Sequence, residues 1–301
     1  MYPEAEKIRD ILGGAQHIVI VQADNPDGDS LGSALALEHI LGDMGKSVYL
    51  YCGVDIPSYL RYLPGWDRIT KELPPNFDAA IIVDTSADSL LEKLSETNQK
   101  ASLKTRPLIV VDHHATEATI TYATVMCNKP VVATGEVLYE LAQQLGWPLS
   151  QGAKEMIATS IMADSLGLVT DATSARSIHI IAELVEGGVS LANLEHARRQ
   201  LMRKSPELTH YKGQLLQRVE YYGDNRVAVV SIPWEEIEKY SPSYNPSMLV
   251  IDDMRMTTDT QVAISFKIYK DGKVTAKIRC NQNAPVGGRL AEHFGGGGHM
   301  Y

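Results

Sequence analysis

The chain has 301 residues, 44% of them hydrophobic and 22% charged, a globular mixture long enough for two domains that each bury a core. A formal net charge of −9 argues against a surface that grips long nucleic acid by counterion release and favours a short anionic substrate. The three cysteines, Cys52, Cys127 and Cys280, fit neither a zinc site nor a disulfide framework, and the acid-bearing N-terminus lacks the apolar core of a signal peptide. A cytoplasmic protein with no membrane partner is expected.

The first apolar, β-branched run, residues 17–21, reads as a buried parallel strand that empties into the turn Asp24-Asn25-Pro26-Asp27-Gly28-Asp29. The apolar spacing of residues 30–44 predicts a helix stopped by Gly45. Strands follow at 47–51, at 79–83 ending on Asp84, and at 108–111 ending on Asp112-His113-His114. Helical periodicity then covers 131–145, 151–166 and 175–185. The stretch 189–222 also reads as helical and precedes a change of pattern, so the domain connection is expected within it, with the boundary near residue 205. Beyond it come a strand at 226–232, helices at 234–239 and 246–254, and strands at 261–269 and 273–279 joined by an Asp271-Gly272 hairpin turn. A last helix at 285–294 runs into the glycines 295–298 and His299. This predicts an α/β protein with a parallel-sheet domain over 1–188, a helical linker over 189–222 and a smaller α/β domain over 223–301.

In an open parallel sheet, ligands collect beyond the carboxyl ends of the strands. Three strands deliver Asp27 and Asp29, Asp84, and Asp112 with His113 and His114 to that edge, and Asp164 interrupts an otherwise apolar helical face. So many carboxylates repel one another unless cations intervene, and hard oxygen ligands with one or two imidazoles suit manganese. Two ions sharing a carboxylate would stabilise in-line displacement at phosphorus, so phosphoester hydrolysis is the expected reaction. Taken singly each signal has a plainer explanation. Asp27-Gly28-Asp29 also makes an ordinary turn, Asp84 could cap a helix over 86–94, and the glycine run could be a flexible tail instead of a phosphate cradle. Arg198, Arg199 and Arg203 read as a solvated helix face.

Asn25-Pro26-Asp27-Gly28-Asp29-Ser30, Asp84, Asp112-His113-His114 and Asp164 stand in the order found in the DHH phosphoesterase family, which the chain resembles over almost its whole length. Lys277-Ile278-Arg279 and the glycines 295–298 with His299 resemble the DHH-associated C-terminal domain, in the branch of oligoribonucleases and phosphoadenosine-phosphate phosphatases. The resemblance implies two Mn2+ ions, one held by Asp27 and Asp84 and the other by Asp29, Asp84, His113 and Asp164. It also implies His114 at the scissile phosphate, Asp112 orienting an imidazole, and Arg279, Gly296, Gly297, Gly298 and His299 gripping the substrate. One departure is Ala23, where the family carries a metal-binding histidine, which weakens the first ion's site; Gln22, Asp24 or a water could compensate, with Asp24 the first choice. The chain also stops at Tyr301, where the resemblance implies a longer C-terminal domain.

The expected activity is hydrolysis of short oligonucleotides, dinucleotides or adenosine 3′,5′-bisphosphate. A catalytically impaired nucleotide sensor and a polyphosphate hydrolase stand as alternatives. Whether the protein forms a homodimer is left open.

Overall fold

The computed structural model describes residues 2–115 and 117–295. The chain divides into two compact units, Met1–Met202 and Arg203–Tyr301.

The first unit opens with helix α1 (Ala5–Gly14) and is built on a five-stranded parallel sheet: β1 (His17–Val21), β2 (Ser47–Tyr51), β3 (Ala79–Val83), β4 (Leu108–Asp112) and β5 (Val125–Asn128), in the order β2-β1-β3-β4-β5. Every residue of β3 and β4 is buried, as expected of strands covered on both faces. The order reverses direction between β1 and β3, and an open α/β sheet leaves a crevice at such a reversal. Because Val21 pairs with both Tyr51 and Ile82, and Val83 with Val111, the loops after β1, β3 and β4 leave the sheet at nearly one level.

Helix α2 (Gly28–Asp43) follows β1 and ends where Gly45, at φ +77°, lets the chain turn back so that Lys46 N–H bonds the Leu41 carbonyl. It packs with α5 (Thr134–Leu145) and α6 (Gln151–Asp164) on one face of the sheet, over a core that includes Ile18, Ile20, Leu35 and Ile157. Each such side chain fully buried contributes ~1.5–3 kcal/mol. The opposite face carries Val19, Val21 and Ile82 beneath Leu91, Leu94 and Leu103, from the segment holding α3 (Glu92–Glu96) and α4 (Lys100–Lys104). Helices α7 (Ala175–Glu186) and α8 (Leu191–Leu201) complete this unit.

The second unit contains α9 (Pro206–Gln217), β6 (Glu220–Tyr222), β7 (Val227–Ile232), α10 (Trp234–Tyr240), α11 (Pro246–Arg255), β8 (Val262–Ile268), β9 (Val274–Cys280) and α12 (Gly287–His293). Its four-stranded sheet has the order β6-β7-β8-β9, with β7 and β8 parallel and the outer pairs antiparallel. The β8–β9 hairpin turns at Gly272, φ +83°, as its Asp-Gly signal predicts.

Two readings need correction. The stretch 189–222 is not continuous helix: α8 and α9 are separate, each started by a serine cap, and Glu220–Tyr222 is a strand paired with β7. The edge strand β5 was not anticipated, because four residues ending at Asn128 are too few to show a period and only pairing with β4 extends them.

Candidate metal centre

Asp27 is the N-cap of α2. Its Oδ1 accepts hydrogen bonds from the N–H groups of Asp29 and Ser30, both at 3.0 Å, and Ser30 Oγ accepts from Asp27 N–H in return. The cap sets the first turn of α2 so that Asp29 points inward and is fully buried. A buried carboxylate needs partners. Asp29 Oδ1 accepts from Ser33 Oγ (2.9 Å) and Ser160 Oγ (2.5 Å), and Oδ2 accepts from Thr134 N–H (2.7 Å) at the start of α5.

Asp84 leaves β3 in the left-handed region, φ +61°, an uncommon conformation for a residue with a side chain and one concentrated at functional sites. The expected alternative, a cap on a helix over 86–94, does not occur: a short 3-10 turn at Asp88–Leu91 precedes α3. Asp84 Oδ1 instead accepts from Thr134 Oγ1 (3.1 Å) and lies 3.4 Å from His113 Nε2. Burial, together with the negative charge of Asp29, raises the Asp84 carboxyl well above the usual range.

Asp112 ends β4, fully buried. Its Oδ1 accepts from the N–H groups of His113 (2.8 Å) and His114 (3.3 Å) and sits 2.8 Å from His114 Nδ1. One carboxylate therefore fixes both the loop and the ring, leaving His114 half exposed with its Nε2 free to face a ligand. This bond to Asp112 raises the His114 pKa, against an opposing contribution from burial.

His113 Nδ1 lies 3.0 Å from the Val131 carbonyl, which fixes the tautomer with its proton on Nδ1 and turns the Nε2 lone pair inward. Nε2 is buried, has no well-directed hydrogen bond, and lies 3.5, 3.4 and 3.3 Å from carboxylate oxygens of Asp29, Asp84 and Asp164. Asp164 is the last residue of α6, so its break in the apolar pattern places a carboxylate on the rim of the crevice. Burial disfavours a charged His113 ring, yet the close carboxylates of Asp164, Asp84 and Asp29 outweigh it and push its pKa up to about 11.

Two groups of ligand atoms, Asp84 with His113 and His114, and Asp29 with His113 and Asp164, each lie within 4.8 Å of one another. Carboxylate oxygens with imidazole nitrogen suit a hard or borderline divalent cation, and the unpartnered Nε2 among three carboxylates fits one.

Of the residues singled out in the sequence, Asp29, Asp84, His113, His114 and Asp164 come together, with Asp112 behind them. Asp27 serves as a cap in the electric field of Asp29 and His114. Arg279 lies on β9 of the second unit, and Gly296, Gly297, Gly298 and His299 are outside the described residues. Asp24 Oδ2 accepts from Lys93 N–H (2.9 Å) at the start of α3, while its Oδ1 is buried without a hydrogen-bond partner among the described residues. Ala23 is buried and offers only its carbonyl, to Cys52 Sγ. Sequence reasoning missed Ser33, Thr134 and Ser160. Ser33 lies one helical turn beyond Asp29 and was open to inference, whereas the other two reach the centre only through the packing of α5 and α6 on α2.

The profile of the DHH family, N-terminal domain, matches residues 17–173, more than half of the chain and all of this centre. The chain belongs to the DHH family and is a phosphoesterase, a hydrolase of phosphoester bonds. It is 25% identical over 289 residues to the bifunctional oligoribonuclease and PAP phosphatase NrnA of Thermus thermophilus, covering 94% of this chain and 82% of that one. The Mycoplasma pneumoniae protein of the same name is 24% identical over 293 residues, covering 94% and 85%. In fold the chain is similar to an exopolyphosphatase-related protein from Bacteroides fragilis, with a TM-score of 0.85 and 22% identity over 99% of this chain and 88% of that one. No helix among the described residues is long and apolar enough to cross a membrane.

Proposed function

We propose that this phosphoesterase hydrolyses short oligonucleotides or dinucleotides and adenosine 3′,5′-bisphosphate with manganese at the centre. The observation carrying this reading is the convergence of three carboxylates on the buried lone pair of His113 Nε2. Asp29, Asp84, His113 and Asp164 would hold one ion, and Asp27 with Asp84 would hold a second more weakly, since Ala23 contributes no side-chain ligand. Such ions supply a nucleophile at neutral pH and neutralise charge developing on phosphoryl oxygens.

The protein groups do the remaining work. Asp112 holds His114 so that its outward nitrogen donates a hydrogen bond to the scissile phosphate, and the Ser33, Ser160 and Thr134 bonds keep Asp29 and Asp84 in place without rearrangement. Arg279 and, beyond the described residues, Gly296, Gly297, Gly298 and His299 bind the substrate's terminal phosphate or base. The names of the Thermus and Mycoplasma relatives support this substrate class.

The test is Mn2+-dependent release of mononucleotide from a 5′-phosphorylated dinucleotide and of phosphate from adenosine 3′,5′-bisphosphate. Asp84→Ala is expected to abolish both, and undiminished turnover in that variant sinks the metal assignment. Ala23 favours one second reading, a nucleotide sensor. Tight dinucleotide binding without hydrolysis in Mn2+, Mg2+ or Co2+ would establish it over the first.

A further inference from the structure

Helix α6 ends on Asp164, and the loop that follows exposes Leu166 (73%) and Val169 (78%), while Leu168 between them packs on the core. Leu166 and Leu168 lie in the left-handed region, at φ +49° and +70°, a conformation that bulky residues seldom adopt and that concentrates at functional sites. The loop is firmly held. The N–H groups of Leu166 and Gly167 donate to the carbonyls of Ala163 (3.2 Å) and Met162 (2.9 Å). Leu168 N–H donates to Oγ of the buried Ser165 (2.8 Å), and the N–H groups of Val169 and Thr170 donate to the Ser165 carbonyl (2.8 and 3.2 Å). With five consecutive N–H groups bonded, the two exposed apolar side chains ride on a fixed frame.

A second apolar surface borders the same rim. Tyr59 sits on a 3-10 turn, Ser58–Leu60, anchored by the buried Leu60, yet is itself 52% exposed. Burial followed by the charge of Asp27 raises the pKa of its hydroxyl, which has no hydrogen-bond partner among the described residues. Asp27 in turn adjoins the end of α6, because a Cβ at Gly28 would fall 2.6 Å from Ala163 Cβ. Tyr59, Asp27, Asp164 and Leu166 thus follow one another along the edge of the crevice.

Metal ions and phosphate explain the carboxylates and imidazoles of this edge but not its exposed apolar groups. A substrate made of phosphate alone gains nothing from them, whereas the flat faces of a nucleobase stack on aromatic and aliphatic side chains. Two residues apart, the Cα atoms of Asp164 and Leu166 are separated by at most about 7.6 Å, within reach of the sugar that joins a phosphate to its base.

We infer that Leu166 and Tyr59, with Val169 beside the first, form an apolar ledge that holds the base of the nucleotide whose phosphate occupies the centre. The inference rests on the proposed nucleotide substrate and adds to it the residues that position the base.

The experiment uses the full chain with Mn2+ and two substrates, a 5′-phosphorylated dinucleotide and its abasic analogue, in which hydrogen replaces both bases. The variants are Leu166→Asn, Tyr59→Ala and, as a control at an exposed apolar position on α7, Val185→Thr. Asparagine adopts the left-handed region more readily than leucine, so Leu166→Asn keeps the loop while removing its apolar surface. KM for the dinucleotide is expected to rise about fivefold to thirtyfold in the first two variants with kcat retained, and KM for the abasic analogue to stay at the wild-type value. Mn2+ affinity in calorimetry should not move. Equal changes for the two substrates, an unchanged KM, weakened Mn2+ binding, or an equal effect of Val185→Thr overturns the ledge. So does a fall in oligomer mass in Leu166→Asn without a change in KM, which would make the loop an interface between copies of this chain. Failure of the wild-type chain to hydrolyse any nucleotide is a different result: it refutes the proposed function, and the ledge with it.

Discussion

Asp112 never faces Nε2 of His113, yet one of its oxygens organises two consecutive backbone N–H groups and the His114 ring. It is a positioning residue, and its loss is expected to act through His114. Asp112→Asn should lower kcat ~10–100-fold, the usual cost of removing a group that orients a functional imidazole. The pH profile separates this from simple damage. The Asp112 bond raises the His114 pKa, so the protonated ring is lost only as pH rises through that raised value. Without the carboxylate charge the loss begins at lower pH, and the basic limb of kcat against pH should move to lower pH. An unmoved limb with reduced kcat would mean that Asp112 serves only the loop.

At the scale of elements, the centre depends on how closely α2 lies against α6. A Cβ at Gly28 would fall 2.6 Å from Ala163 Cβ, and one at Gly32 would fall 2.9 Å from the Met156 carbonyl and 3.1 Å from Ser160 N. These glycines, one turn apart, let the helices approach until Ser160 Oγ reaches Asp29. Gly32→Leu forces backbone apart and is expected to destabilise the protein by ~1–3 kcal/mol in urea unfolding, as overpacking generally does, and to weaken Mn2+ binding in calorimetry. Wild-type metal affinity in that variant would show that the α2–α6 spacing does not control the centre. The same elements show what periodicity conveys: β1, β3 and β4 are apolar runs that read directly as buried strands, whereas β5 is recognisable only through its partner.

For the whole molecule, the division after Met202 separates the carboxylate centre from Arg279 on β9. A chain ending at Met202 is expected to fold cooperatively and bind Mn2+ with near wild-type affinity while losing at least about tenfold in oligonucleotide affinity, measured by calorimetry and fluorescence anisotropy. Loss of metal binding in that fragment would show that the second unit helps to hold the centre. The two units also differ in legibility. The first announces four of its five strands and its acidic strand ends in order along the chain, while the second conceals β6 within an apparently helical stretch.

Local chemistry alone was enough to determine four of the first unit's five parallel strands, the acids at the ends of β1, β3 and β4, the Asp-Gly hairpin and the family, because apolar runs and turn residues express short-range preferences that tertiary contacts leave intact. The tertiary structure decided the rest. It turned Asp24 toward α3, gave Asp84 its left-handed backbone, and brought Thr134 and Ser160 to the buried carboxylates. Those outcomes depend on distances between residues far apart in the chain, which helix packing and strand register set and no local pattern encodes.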